Sequence, residues 1–282
     1  MAARTWNTGA RDLAGFAGRV LLPAAGLGIA LAVLYRLTSG TDPVALPTLV
    51  LRIASGAVVS ACVLGWIIGL AHRRGAGTPG RADGVVPFLD GVRAFAMGGA
   101  VWLVPAAAAF GMLALFGFPL TVVATPAELA ATVLLLFAAV LLSEAVPEEI
   151  VFRGYMMRVL GERLRGLWAN VVQAALFAAF ALVLRGWTGT ADLLLFLGMG
   201  LGLGYVRTVS GSVWTTVGFH TAFQTGAQLV LTHDAVDFSG ADGLSMLALG
   251  VVPFAAGIIL VDLLAPSHPR LFARQRQKAA PE

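Results

Sequence analysis

The sequence predicts an all-α fold, a polytopic integral membrane bundle of about eight transmembrane helices. Composition is the first observation behind this prediction: of 282 residues, 58% are hydrophobic and only 12% are charged, and the mean hydropathy is +0.85. A soluble domain usually carries about 25% charged residues. The second observation is that the hydrophobic residues fall into long apolar runs, each close to the ~20 residues that a membrane-spanning helix needs.

Short loops separate the predicted spans, so we expect a single transmembrane domain over residues 1–282. The predicted spans are 18–35, 50–71, 94–116, 128–146, 167–184, 191–208, 211–231 and 244–265. Three prolines, Pro23, Pro105 and Pro253, fall inside spans, where proline is expected to kink a helix. The segment 268–282 is predicted to be a basic tail.

Basic residues are distributed unevenly between the two sides of this arrangement. With eight spans, both termini lie on one side, and that side holds 16 of the 19 Arg and Lys residues: Arg4, Arg11, Arg19, Arg73, Arg74, Arg81, Arg93, Arg153, Arg158, Arg163, Arg165, Arg207, Arg270, Arg274, Arg276 and Lys278. The positive-inside rule therefore predicts that both termini and the region around Glu148 face the cytoplasm. The Ala-, Gly- and Arg-rich composition favours a bacterial plasma membrane.

Charge and cysteine content argue against nucleic-acid binding and against cysteine-based sites. The charge asymmetry explains the net charge of +4 and the pI near 10, so no nucleic-acid partner is expected. The single cysteine, Cys62, excludes a disulfide framework and a cysteine-based metal site.

A pair of adjacent carboxylates, Glu148 and Glu149, follows the fourth apolar run in the sequence Pro-Glu-Glu-Ile-Val-Phe-Arg. Ionisable residues at a bilayer are costly and usually mark function. Residues 128–165 could form one helix kinked at Pro147, or a span followed by an interfacial helix. As one helix they would extend about 57 Å, beyond the ~30 Å hydrocarbon core. The glutamates are therefore expected at the membrane edge.

The helical spacing around these glutamates suggests two different roles. Glu149 and Arg153 are i,i+4 neighbours and are predicted to pair, whereas Glu148 points about 100° away. Glu144 stacks one turn before Glu148, which predicts a like-charge pair. One carboxylate neutralised by arginine beside another in an apolar setting can provide a general base. The alternative is that all these charges cap a helix end at the level of the lipid headgroups.

A second polar pair, His220 and Gln224, lies on one face of the seventh span at i,i+4. A lone buried histidine is usually a packing residue, but in a bilayer its ring nitrogens need a partner. The nearest plausible partner is the Glu148–Glu149 pair. A glutamate and a histidine together could activate a water molecule or bind a divalent metal.

These motifs resemble those of the CPBP family, the CAAX prenyl protease 2-like and Abi bacteriocin-processing intramembrane proteases. The family motif Glu-Glu-x-x-x-Arg is matched by Glu148, Glu149 and Arg153, and the motif His-x-x-x-Asn is matched at His220, with Gln224 replacing Asn. The resemblance covers about residues 128–232. The second family motif, Phe-x-x-x-His, departs from the pattern: Phe177 is present, but Ala181 stands in the place of the histidine.

The resemblance implies an intramembrane endopeptidase whose glutamate activates water while histidine and amide groups polarise the substrate carbonyl. It implies catalytic roles for Glu148, Glu149 and His220, and supporting roles for Arg153, Gln224 and Phe177. The expected partners are membrane lipid and a membrane-associated peptide or protein substrate. No cofactor is required, and a divalent metal stays an alternative that would have only Glu148, Glu149 and His220 as ligands.

Three functions remain open because of Ala181. The first is an active protease that uses another donor, for which Asn170, Gln173 and Arg185 are the candidates. The second is a catalytically impaired family member that acts by binding, as an immunity or regulatory membrane protein. The third is an enzyme that applies the retained Glu and His to another amphiphilic substrate.

Overall fold

The computed structural model describes residues 2–42, 44–73, 88–165, 167–186 and 189–264, so the predicted basic tail 268–282 lies outside the described residues. The chain forms a bundle of long helices with one small two-stranded sheet. Its elements, in chain order, are α1 (Ala2–Thr38), α2 (Leu46–Arg73), α3 (Phe88–Leu115), β1 (Leu120–Val122), α4 (Pro126–Gly161), α5 (Leu167–Arg185), α6 (Thr190–Ser210), α7 (Val213–Leu231), β2 (Val236–Phe238) and α8 (Gly243–Leu264).

The prediction of a polytopic helical membrane protein is confirmed. Each of the eight predicted spans falls on one of these helices, and seven of the described helices are long and apolar enough to cross a membrane. The helix outside that group is α7, whose threonines, glutamines and histidine lower its hydropathy. Most of its first three turns are buried against other helices, so its polar residues contact protein.

Of the two alternatives for residues 128–165, the structure has the single helix. The apolar span was predicted to stop at residue 146, and α4 continues through Pro147 to Gly161 over 36 residues, about 54 Å. A capping box between Thr125 and Glu128 fixes the start of the helix. Two π-helical segments, Leu141–Ala145 and Ile150–Met156, flank the turn that carries the glutamates.

The π-helical geometry explains how the helix continues past Pro147. In a π-helix the carbonyl of Leu142 would accept a hydrogen bond from residue 147, but proline has no N–H to donate. The hydroxyl of Ser60 on α2 donates to the Leu142 carbonyl instead, at 2.7 Å. α2 approaches closely at Gly56, where a Cβ would lie 2.7 Å from the backbone nitrogen of Ser143.

Helices α3 and α7 make direct backbone contact, which fixes α7 within the bundle. A Cβ on Gly98 of α3 would overlap the carbonyl oxygen of Thr215, and a Cβ on Gly218 of α7 would overlap the carbonyl oxygen of Phe95. Small residues allow such close approach of helices in membranes. This contact sets the position of the face of α7 that carries His220.

A small sheet, not predicted from the sequence, joins the loop between α3 and α4 to the loop between α7 and α8. β1 pairs antiparallel with β2, with Leu120 opposite Phe238 and Val122 opposite Val236. The sheet connects the segment before α4 to the segment after α7, the two helices that carry most of the candidate site residues.

Candidate active site

The predicted pairing of Glu149 with Arg153 is confirmed in the geometry of α4. Arg153 Nη1 donates to Glu149 Oε1 at 2.9 Å, and both side chains are completely buried. Arg153 Nη2 also donates to the carbonyl of Met199 on α6, at 3.2 Å. The guanidinium stacks over the ring of Phe177 on α5, with 4.3 Å between its carbon and the ring centroid. Arg153 therefore ties α4 to α5 and α6.

His220 contacts the same carboxylate. Its Nδ1 lies 2.9 Å from Glu149 Oε1, and the histidine side chain is 1% exposed. Glu149 Oε1 therefore holds the guanidinium of Arg153 and the ring of His220 together. The expectation that the partner of His220 would be one of the two glutamates is confirmed, and that partner is Glu149.

Glu148 faces a different part of the bundle from its neighbour. Glu148 borders a cavity of about 10 Å³, close to the volume that holds one water molecule. Gln224 of α7 and Phe177 of α5 also border this cavity. The structure thus brings Glu148, Gln224 and Phe177 to one small space, and places Glu149, Arg153 and His220 in an adjoining buried network.

α5 contributes two further residues to the cavity wall. Ala181 borders it at the position of the missing histidine, and Arg185, one turn later on the same helix face, borders it as well. Of the alternative donors considered from the sequence, Arg185 reaches the cavity. Asn170 and Gln173 do not border it; Asn170 Nδ2 donates to the carbonyl of Leu201 on α6, at 3.0 Å.

The glycine-rich face of α6 explains why Asn170 and Gln173 face that helix. A Cβ on Gly200 would lie 2.7 Å from the Cα of Ala174, and a Cβ on Gly204 would overlap the side-chain oxygen of Asn170. These glycines therefore serve the close packing of α5 on α6.

The predicted like-charge interaction of Glu144 with Glu148 is present, and Glu144 also has cationic partners on other helices. Its Oε1 accepts from Arg52 Nη2 of α2 at 2.8 Å, and its Oε2 lies 3.6 Å from Arg185 Nη2. Gln228 of α7 joins the cluster, donating to Glu144 Oε1 at 3.2 Å and accepting from Arg52 Nη1 at 3.0 Å. Two arginines thus neutralise Glu144, which the short-range helical pattern could not indicate because Arg52 is distant in sequence.

The depth of Glu148 differs from the sequence expectation. Glu148 was predicted at a membrane edge on the same side as the termini, but it is buried within α4 with 6% exposure. Its cavity is bordered by Tyr35, in the last turn of α1, and by Arg185, the last residue of α5. The site therefore lies closer to the C-terminal end of α1 than to its N-terminal end.

Tyr35 is a residue of this site that sequence reasoning missed. It borders the Glu148 cavity from α1. The only signal in the sequence was a polar ring near the end of an apolar span, which is also typical of an interfacial anchor.

The described residues do not form a metal centre. None of them belongs to a group of three or more His, Cys, Asp or Glu side chains arranged to hold a metal ion. Glu148, Glu149 and His220, the residues that a divalent metal would have to use, are divided, because Glu149 is already bonded to Arg153 and His220. A guanidinium at 2.9 Å from Glu149 would also repel a cation there.

Comparison with known protein families gives a match for residues 130–226, to the family model described as Rce1-like, type II CAAX prenyl endopeptidase. This segment contains α5 and α6 and most of α4 and α7, and so includes Glu148, Glu149, Arg153, Phe177, His220 and Gln224. No curated protein and no solved structure gives a significant match.

Proposed function

We propose that this chain, whose residues 130–226 match the Rce1-like family of type II CAAX prenyl endopeptidases, is an intramembrane endopeptidase that uses Glu148 as its general base. The observation that carries the proposal is the position of Glu148 and Gln224 on one cavity of about 10 Å³ within the bundle. The substrate is a membrane-associated peptide or protein, since the cavity is buried among spanning helices.

The cavity can support hydrolysis by a water molecule held against Glu148. Glu148 takes a proton from this water molecule while the water oxygen attacks the carbonyl carbon of the peptide. The carbonyl oxygen then becomes an oxyanion. Glu148 then returns the proton to the amide nitrogen as the C–N bond breaks. Gln224 and Arg185 border the same space, and we expect the Gln224 amide and the Arg185 guanidinium to stabilise the oxyanion.

The role of Glu149, Arg153 and His220 is to support this centre. The two hydrogen bonds to Glu149 Oε1 neutralise that carboxylate and join α4 to α7. This holds Glu148, the next residue along α4, against the face of α7 that carries Gln224. The family resemblance implies that His220 also polarises the substrate carbonyl. Because Nδ1 contacts Glu149, this contact would be made by Nε2.

A second candidate function is favoured by Ala181. The methyl group of Ala181 borders the cavity where the family motif has a histidine, so one oxyanion donor is missing. Loss of one such donor typically lowers the rate by about 10²–10³. The alternative is therefore an impaired protease that acts by binding, as an immunity or regulatory protein.

The protein is integral to a membrane, and we propose the bacterial plasma membrane with both termini in the cytoplasm. The excess of Arg and Lys on the terminal side supports this orientation. With this orientation the Glu148 cavity lies nearer the outer face of the membrane, because it borders the last turn of α1.

The protease function is tested with protein reconstituted in lipid vesicles and a library of N-acylated peptides, in water enriched in ¹⁸O. We expect cleavage products whose new carboxylate carries one ¹⁸O atom, and no products from the Glu148→Gln variant. Correctly folded wild-type protein that binds peptides without cleaving any of them would favour the binding function.

A further inference from the structure

A long apolar groove runs along α6, between α5 and α8, and is separate from the Glu148 cavity. Its volume is about 770 Å³, within the range of small-ligand pockets. It extends from Ala191, in the first turn of α6, to Tyr205 near the end of that helix, a length of about 21 Å. Among the described residues that line it, only Asn170 and Tyr205 have polar side chains. The groove is longer than half of the ~30 Å hydrocarbon core, so an extended acyl chain of one leaflet fits along it.

Two glycines leave the groove open, and one of its lining residues also belongs to the candidate active site. A Cβ added at Gly198 of α6 or at Gly250 of α8 would have no atom within 4 Å. Met199 lines the groove and also borders the Glu148 cavity, and its carbonyl accepts the hydrogen bond from Arg153 at 3.2 Å. A chain in the groove would therefore pack against a residue of the active-site wall.

The mouth of the groove, where α6 and α8 end and α5 begins, carries hydrogen-bond acceptors. Asp262 is exposed and follows the groove residue Ile258 by one turn of α8. The hydroxyl of Tyr205 lies 2.8 and 2.7 Å from the two carboxylate oxygens of Asp262, but it has only one hydrogen to donate, so the carboxylate keeps acceptor positions. Asn170 is 5% exposed, and its side-chain oxygen has no hydrogen-bond partner among the described residues. These acceptors fit a ligand that donates hydrogen bonds.

A positive charge lies at the same mouth, on the side of α5. Arg165 is exposed, two residues before Leu167, which lines the groove. Trp168 beside it is also exposed, as is typical of a side chain at the level of the lipid headgroups. The mouth thus combines a carboxylate from α8 with a guanidinium that precedes α5. These two charges are complementary to an ammonium group and a phosphate.

We propose that this groove binds one phosphatidylethanolamine molecule of the membrane, with an acyl chain along α6 and the ammonium group at Asp262 and Asn170. The phosphate then lies on the Arg165 side of the mouth. Phosphatidylcholine carries the same charges, but its quaternary ammonium group has no N–H to donate. Phosphatidylglycerol carries only the negative charge, which Asp262 repels. The binding of this lipid does not depend on the proposed protease function.

The test counts the lipids that full-length protein retains in native mass spectrometry, from detergent micelles with equal amounts of dioleoyl-phosphatidylethanolamine and dioleoyl-phosphatidylcholine. We expect one retained phosphatidylethanolamine and a preference of about tenfold over phosphatidylcholine, because the quaternary headgroup loses hydrogen bonds to a charged group. Asp262→Asn should remove this preference and leave the retention of phosphatidylcholine unchanged. Gly198→Leu, which fills the groove, should lower the retention of both lipids.

Asp237→Asn and Gly111→Leu are the matched controls. Asp237 is an exposed carboxylate of β2 outside the groove, and Gly111 of α3 has no atom within 4 Å of an added Cβ. Both variants should retain lipid as the wild type does. Because Asp262 is exposed, its substitution leaves the packing of the helices intact and decides the test even where Gly198→Leu does not fold. Equal retention of the two lipids by the wild type, or a preference that survives Asp262→Asn, would overturn the proposal.

Two further outcomes would assign the groove to another ligand and also overturn the proposal. A preference for phosphatidylglycerol over phosphatidylethanolamine would show that the mouth selects anions through Arg165. Displacement of the retained lipid by an equal concentration of an N-palmitoylated Ala-Leu-Ala-Ala peptide would show that the groove holds the acyl anchor of a substrate. We expect neither, and we expect phosphatidylethanolamine to raise the melting temperature more than phosphatidylcholine does, since a ligand of the folded state stabilises it.

Discussion

Ala181 and Arg185 lie one turn apart on α5 and border the same water-sized cavity as the Glu148 carboxylate. The family motif has a histidine at the position of Ala181, and Arg185 borders the cavity from the next turn. We propose that Arg185 supplies the missing donor from the same helix face.

Restoring the missing histidine is expected to harm this site. The cavity of about 10 Å³ cannot take an imidazole beside Glu148 without displacing its neighbours. We predict that Ala181→His lowers the free energy of unfolding by about 1–3 kcal/mol and does not raise kcat. Thermal unfolding in detergent and peptide cleavage in vesicles check the two parts. A rise of tenfold or more in kcat would show instead that the missing histidine limits the enzyme.

Arg153 is expected to be essential for stability, because it is the buried partner of Glu149. Arg153→Gln leaves the buried Glu149 carboxylate without its arginine partner. We predict a loss of about 3–5 kcal/mol in the free energy of unfolding. The matched control is Arg165→Gln, an exposed arginine whose replacement should change stability by no more than about 0.5 kcal/mol. Equal effects of the two substitutions would contradict the structural role of Arg153.

The backbone contact between α3 and α7 is expected to control the position of Gln224. Gly218→Ala places a Cβ against the carbonyl oxygen of Phe95 and must move α7 away from α3. We predict a lower melting temperature and a loss of about 10²-fold in kcat, since a shift of 1 Å in a catalytic group can have that effect. Gly111→Ala on α3 is the control, because no atom lies within 4 Å of its added Cβ. A Gly218→Ala protein with wild-type activity would show that the α3–α7 contact does not position the site.

The sequence was sufficient to predict the helical fold, because apolar runs of bilayer length have few other structures. It also predicted the Glu149–Arg153 pair, which depends on i,i+4 spacing alone. The choice between one helix through Pro147 and two helices could not be made from the sequence, because the donor that compensates for the missing N–H is Ser60 of another helix. The neutralisation of Glu144 was missed for the same reason, since Arg52 is 92 residues away in the chain.

The central claim is that Glu148 is the general base, and the most direct measurement is the rate of peptide cleavage by Glu148→Gln in vesicles. We predict that kcat falls by at least about 10²–10⁴, with helix content and melting temperature close to those of the wild type. Glu162→Gln, at an exposed glutamate beyond the end of α4, should retain wild-type kcat. A folded Glu148→Gln protein that cleaves peptide at the wild-type rate would contradict the account.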